Sequence, residues 1–268
     1  MKFGNAVVFL GMVLISLTLL SWTSLQQKRV SRSLTEDYSQ ESNSTVHLYI
    51  VTPTYTRLEQ EPELVRLGQT LQQTYKERLK RIMERFQHMS LVLLAAEMPV
   101  IYRQAPKVLP RGVAGRNKAL DWVLNQYLVT LSRKEEGEEE EEGVHGVLYF
   151  ADDDNTYDLR LFEQIRQTKR LSLFPVGLVS KNGLSSPIVR DGVIVGFYDG
   201  WSGGRVFRVD MAGFAVNLNT LYQAYSRVGS ELRMPFKAGY EEDGFLKLLG
   251  IKPQKFVDTN IPLLLKSN

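Results

Sequence analysis

The stretch Gly146-Val147-Leu148-Tyr149-Phe150-Ala151-Asp152-Asp153-Asp154-Asn155-Thr156-Tyr157 constrains this chain more than any other, because an apolar, β-prone run stops abruptly at three adjacent carboxylates. Neighbouring strand residues point to opposite faces. A run without polar alternation therefore belongs to a strand covered on both sides, as in an α/β layered fold. Ligands in open α/β sheets bind just beyond the carboxyl ends of such strands. Three acids placed there repel one another and need water or a cation to offset the charge. Oxygen donors at this density suit Mg²⁺ or Mn²⁺, with a diphosphate able to complete the shell. An acidic loop in which Asp154 or Asn155 caps the next helix accounts for the same residues. On these residues alone both readings stay open.

With 268 residues, 43% of them hydrophobic and 24% charged, the chain has core material for one large α/β domain or two small ones. The net charge of +3 is small and the basic residues are scattered, which argues against a nucleic-acid partner. The absence of cysteine excludes disulfides, thiolate zinc sites and cysteine nucleophiles. The three histidines, His47, His88 and His145, lack metal-ligand spacing.

Residues 6–22 form a charge-free apolar run, long enough to span a bilayer once Phe3 and the following Thr-Ser-Leu are counted. A cleaved signal peptide with Lys2 as its basic end competes with an uncleaved signal-anchor. No small-x-small cleavage site follows the run, which favours the anchor. Lys28, Arg29 and Arg32 on the far side leave orientation open by charge alone. The expected layout is a short cytoplasmic tail over residues 1–5, an anchor over 6–24, a polar stem over 25–45 and a folded domain over 46–268. Asn43-Ser44-Thr45 in the stem is a sequon for N-glycosylation if it enters the secretory lumen.

The folded part opens with a strand, 46–51, and a Pro-containing turn that carries Tyr55 toward the same sheet edge as the acids. Apolar spacing predicts helix over 63–86, strand over 90–96, and helix through Leu131 after Pro110-Arg111-Gly112. Arg111 and Arg116 fall at or near that helix's N-terminus, where the dipole disfavours cations, so they invite an anionic partner. Seven glutamates between Glu135 and Glu142 form a solvated loop without chemistry. Beyond the acid triplet the pattern predicts a helix over 159–170 and a strand over 171–179. A turn-rich excursion over 183–191, a strand over 192–198 and a Gly-rich loop over 199–205 follow. Residues 208–217 are strand-like with Asp210 inside, and 218–225 show helical spacing. Glu241, Glu242 and Asp243 precede a short helix over 245–249, either as helix-start acids or as catalytic ones.

Taken together these blocks closely resemble the β-1,3-glucuronyltransferases of glycosyltransferase family 43. The resemblance rests on Thr52-Pro53-Thr54-Tyr55, Pro110-Arg111-Gly112 with Arg116 to Leu120, Tyr149 to Tyr157, Pro175 to Val179, Val209 to Val216 and Gly239 to Glu242. It implies a GT-A fold, a Rossmann-like nucleotide-sugar domain, with donor binding over about 46–157 and acceptor binding over about 158–268. It implies a type II Golgi membrane protein, a family habit of homodimerisation, and inverting, Mn²⁺-dependent transfer of glucuronate from UDP-glucuronic acid to a galactose-terminated glycan. By the same resemblance Tyr55 would stack on uracil and Arg111 and Arg116 would contact the donor. Asp152 and Asp153 would hold ribose and sugar, and Asp154 would ligate Mn²⁺. Trp201, Arg205 and Asp210 would line the acceptor and glucuronate region, and Glu242 would be the general base.

The chain departs from the family pattern in three places. Residues after Leu249 do not match the C-terminal block whose histidine and arginine grip the diphosphate. The segment between Tyr55 and Pro110 is shorter, with Glu97 only loosely standing where the uracil-binding aspartate belongs. Ser185 stands at an acidic acceptor-contacting position. The alternative expectation is a non-catalytic or truncated relative that binds a UDP-sugar or glycan, or partners an active enzyme.

Overall fold

The computed structural model describes residues 46–82, 92–103, 111–135, 146–177, 179, 183–201 and 203–252. The expected tail, anchor and stem, the sequon at Asn43, nearly all of the glutamate run and the tail after residue 252 lie outside them. Among the described residues no helix is long and apolar enough to cross a membrane.

Strand β2 (Gly146–Phe150) is the centre of a mixed sheet, and each of its residues is buried. On one side it pairs in parallel with β1 (His47–Val51), and on the other antiparallel with β7 (Phe214–Asn217). Strand β3 (Leu171–Leu173) completes the order β1-β2-β7-β3. Alternate side chains of β2 enter two separate cores. Leu148 and Phe150 pack with Leu120, Val123 and Leu124 of α3 (Val113–Glu135), Leu221 of α5 (Leu218–Val228) and Phe245 of α6 (Glu241–Leu248). Val147 and Tyr149 pack with Phe162 and Ile165 of α4 (Leu159–Ile165), and with Leu71 of α1 (Gln60–Ile82). The unbroken apolar run thus has the two-sided cover its composition requires. The fold is mixed α/β, as expected; the remaining helix, α2, is a single turn (Val100–Arg103).

A second sheet holds β4 (Val176–Gly177), β5 (Leu184–Arg190) and β6 (Val193–Tyr198) in that order. Several expectations need correction. Residues 183–191 are not an excursion: β5 and β6 form an antiparallel hairpin around Asp191-Gly192, both at positive φ. Pro187 is tolerated because β4 pairs only with Leu184 and Ser185, leaving β5 a single partner from Ser186 onward. The single strand expected over 171–179 is two, β3 and β4, in different sheets with Phe174 and Pro175 at the break. Residues 92–96 form no strand; Val92, Leu93 and Leu94 are exposed and pair with no strand among the described residues. Residues 208–217 are strand only from Phe214, because Asp210 caps a 3₁₀ turn over Met211–Gly213 through the Ala212 amide, 3.0 Å away. Helix α4 also ends at Ile165, earlier than the predicted 170.

Two buried side chains tie the helices to the loops that frame the open end of the main sheet. Asn117 on α3 donates to the Met234 carbonyl (3.0 Å) and accepts from its amide (2.8 Å). Asp243 on α6, 1% exposed, accepts from the amides of Val206 and Phe207 at 2.8 Å each, and Lys247 lies 2.5 Å from its other oxygen. Asp243→Ala leaves two amides without their acceptor and should lower unfolding free energy by about 3 kcal/mol. Asp243→Asn retains one acceptor oxygen and should lose less. Denaturant midpoints at constant m-value check both.

Candidate active site

Because β1 and β2 run parallel, their carboxyl ends open side by side, and the Ala151 amide continues the ladder to the Val51 carbonyl at 3.0 Å. Residues 52–57 and the triplet 152–154 therefore meet at one edge, as the sequence pattern requires. Tyr149 donates to the Ala212 carbonyl (3.0 Å), which brings the turn carrying Asp210 to the same edge. Tyr157 donates to the Asp152 carbonyl (2.9 Å) and folds the acidic turn back on itself.

Among the described residues, no three acids or histidines are grouped as a metal cage. The mutual repulsion expected of the triplet is instead offset largely by arginines. Arg116 Nη2 is bonded to Asp152, and Arg57 Nη2 to Asp153 at 2.8 Å and to Glu63. Burial pushes the Asp153 carboxyl up, but the Arg57 and Thr54 hydrogen bonds outweigh it and hold the group below the usual carboxylate range. Arg66 adds a clamp, donating to the carbonyls of Asp153 (3.1 Å) and Asn155 (3.3 Å). Sequence reasoning missed both Arg57 and Arg66. Asp153 Oδ2 remains buried without a partner, as does Arg57 Nη1. Asp154 is exposed, in no hydrogen bond or ion pair among the described residues.

Tyr55 is exposed at the mouth of this edge. The guanidinium of Arg57 lies over its ring at 4.8 Å and that of Arg111 at 5.3 Å, and Arg111 also donates to its hydroxyl at 2.8 Å. The ring is held by cations that leave part of its surface open to a planar ligand. Glu97, offered as a loose substitute for a uracil-binding acid, lies in the exposed irregular segment 92–99.

The second group of expected residues comes together beside the first. Trp201 is exposed, with Arg205 over its ring at 4.6 Å and Tyr240 edge-on at 5.3 Å. It fits only because residues 203 and 239 are glycine. A Cβ on Gly203 would lie 2.7 Å, and one on Gly239 2.5 Å, from ring atoms, and both glycines have positive φ. Arg205 donates to the Trp201 carbonyl (2.6 Å) and pairs with Asp199 at 3.2 Å. Ser185 donates to that same Asp199 at 3.0 Å. Asp199 was not legible as a site residue, although its place directly after β6 was.

Glu242 stands in the first turn of α6, which begins at Glu241 rather than after the acids. Burial, aided by the charges of Glu241 and Asp210 and opposed by that of Arg205, pushes its carboxyl up to about 7. Burial likewise raises Asp210, with the charges of Asp152 and Asp199 adding to it and that of Arg116 opposing. These mutual effects link the triplet, Asp210, Arg205 and Glu242 into one electrostatic unit. A carboxylate poised near neutrality and coupled to the arginine of an aromatic–arginine platform can accept a proton from a bound hydroxyl.

The family model described as glycosyltransferase family 43 matches residues 69–260, reaching past Leu249, where the motif resemblance stopped. Two Drosophila melanogaster proteins are similar over most of this chain. Galactosylgalactosylxylosylprotein 3-beta-glucuronosyltransferase P is 43% identical over 219 residues, covering 75% of this chain and 40% of its own length. Its counterpart S is 44% identical over 218 residues, covering 76% and 48%. The human galactosylgalactosylxylosylprotein 3-beta-glucuronosyltransferase 3 is 42% identical over 190 residues, covering 65% and 56%. The chain thus spans about half the length of these relatives. With the family pattern running from α1 through the α6 acids and over both halves of the site, the chain belongs to glycosyltransferase family 43.

Proposed function

We propose that this chain is an inverting β-1,3-glucuronosyltransferase that moves glucuronate from UDP-glucuronic acid to a terminal galactose of a proteoglycan linker or glycoprotein glycan. The observation that carries the reading is Glu242, a family-matched carboxylate kept near neutrality by burial and flanked by Asp210 and Arg205. Direct displacement at the sugar carbon needs one base to take the acceptor hydroxyl proton on the face opposite the leaving nucleotide. Glu242 supplies it. Protonation of the leaving group is unnecessary when the departing diphosphate is stabilised electrostatically, so no second catalytic acid is required, unlike inverting hydrolysis. Tyr55 offers a stacking face for the base, with Arg111, Arg116, Asp152 and Asp153 at the donor. Trp201 with Arg205 forms the acceptor platform.

Mn²⁺ belongs to the same proposal. A divalent ion bound by nucleotides takes one or two protein carboxylates and fills its other positions with phosphate oxygens and water. The exposed, uncommitted carboxylate of Asp154 fits that donor set, whereas Asp152 and Asp153 are already engaged by arginines. Bound there, Mn²⁺ would supply charge stabilisation for the departing diphosphate. The proposal also places the chain in the Golgi membrane as a single-pass type II protein, with residues 6–24 as anchor, Asn43 as a glycosylation site and the site lumenal.

UDP release with UDP-glucuronic acid, Mn²⁺ and a galactose-terminated acceptor tests the reading. Glu242→Gln should lower kcat by about 100-fold or more; activity equal to wild type would remove Glu242 as the base. Since the base acts unprotonated, kcat/KM should rise with pH through about 7, with unit slope on the acid side. A profile flat from pH 5 to 8 would contradict that assignment. Asp154→Ala should weaken Mn²⁺-dependent UDP binding, measured by calorimetry, by roughly tenfold or more. Unaltered affinity would count against Asp154 as a ligand.

A further inference from the structure

We propose that Asp199 is a positioning residue for the acceptor side of the site: its carboxylate is the counter-ion that keeps Arg205 stacked on Trp201 and away from Glu242. Its location follows from the hairpin register. Ser186 pairs with Tyr198, so the next step places Ser185 opposite Asp199 at the end of β6. Each carboxylate oxygen is committed. Oδ1 accepts from the Trp201 amide at 2.7 Å and faces Arg205 at 3.2 Å, while Oδ2 accepts from the Ser185 hydroxyl at 3.0 Å. The Arg205 and Asp199 side chains are only 6% and 7% exposed.

A guanidinium this buried must have a counter-charge. The carboxylates whose charges bear on this corner are Asp152, which Arg116 holds, and Asp199, Asp210, Glu241 and Glu242. Were Asp199 neutral, Arg205 would be drawn toward the last three, and an ion pair with Glu242 would hold the base in a less proton-hungry state. With Asp199 in place, Arg205 sits over the Trp201 ring at 4.6 Å.

The kinetic readout rests on the glucuronosyltransferase reading; a spectroscopic one does not. Asp199→Asn keeps an oxygen for the Trp201 amide and removes the charge. In the full chain in detergent it should raise the acceptor KM about tenfold or more while leaving the donor KM unchanged. The acid limb of kcat/KM should move to lower pH, because a negative charge leaves and Arg205 turns to Glu242. Ser185→Ala, which removes only the Oδ2 partner, should move the acceptor KM the same way by less. In a Trp22→Phe, Trp122→Phe background, where Trp201 is the one remaining tryptophan, Asp199→Asn should change its emission with the far-ultraviolet circular dichroism intact. Equal changes in both KM values, or unchanged Trp201 emission, would overturn the proposal. Should the wild-type chain transfer no sugar at all, the functional reading fails and the emission arm alone decides the role of Asp199.

Discussion

Three consecutive carboxylates at the end of a fully buried strand are unstable neighbours unless positive charge is brought to them, and this requirement organises the site. The charge comes from separate elements: Arg57 from the turn after β1 and Arg116 from α3 pair with the carboxylates, while Arg66 from α1 binds backbone carbonyls of the same turn. Each pairing pulls its own element onto the sheet edge, so the neutralisation of the acids and the assembly of that edge are one event. It also divides labour within the triplet. Asp152 and Asp153 are fixed by arginines, and Asp154 is left facing solvent with its valences open.

Neighbouring acids on α6 show the same division in another form. Asp243 is satisfied by two amides and a lysine and serves the fold. Glu242, one residue earlier, is desolvated among other carboxylates. Its folded-state pKa lies above its ordinary value near 4.5, so the native state holds the proton more tightly than the unfolded chain does. Stability therefore falls as pH rises from about 4.5 to about 7, and the full penalty is present above that range. The desolvation that lifts the Glu242 carboxyl toward neutrality also weakens the fold there.

Much of this was visible in one dimension. The β2 run, its two-sided burial, the acids at its end and the α3 helix behind Arg111 all follow from local pattern. The errors share a physical origin. An apolar stretch at 92–96 carries strand propensity, but propensity cannot create a neighbouring strand to pair with. Pro187 reads as a turn unless one knows that its side of β5 is unpaired. Asp191-Gly192 between apolar runs was the overlooked hairpin signal. Arg57 had no legible signal, since its partner Asp153 lies far away in sequence and only the parallel pairing of β1 with β2 brings them together. Asp199 was hidden similarly, because Ser185 becomes its neighbour only through the hairpin.

The strand order β1-β2-β7-β3 has a consequence for how the chain is made. His47 pairs with Gly146, and the other side of β2 waits for Asn217, so the most apolar strand gains its second neighbour only late in synthesis. Its covering residue Phe245 emerges later still. A sheet built from such distant pairings folds slowly, and its exposed centre is open to the wrong partners in the meantime. Until Asn217 and Phe245 have emerged, the central strand lacks its full cover, and that exposure is set by the topology.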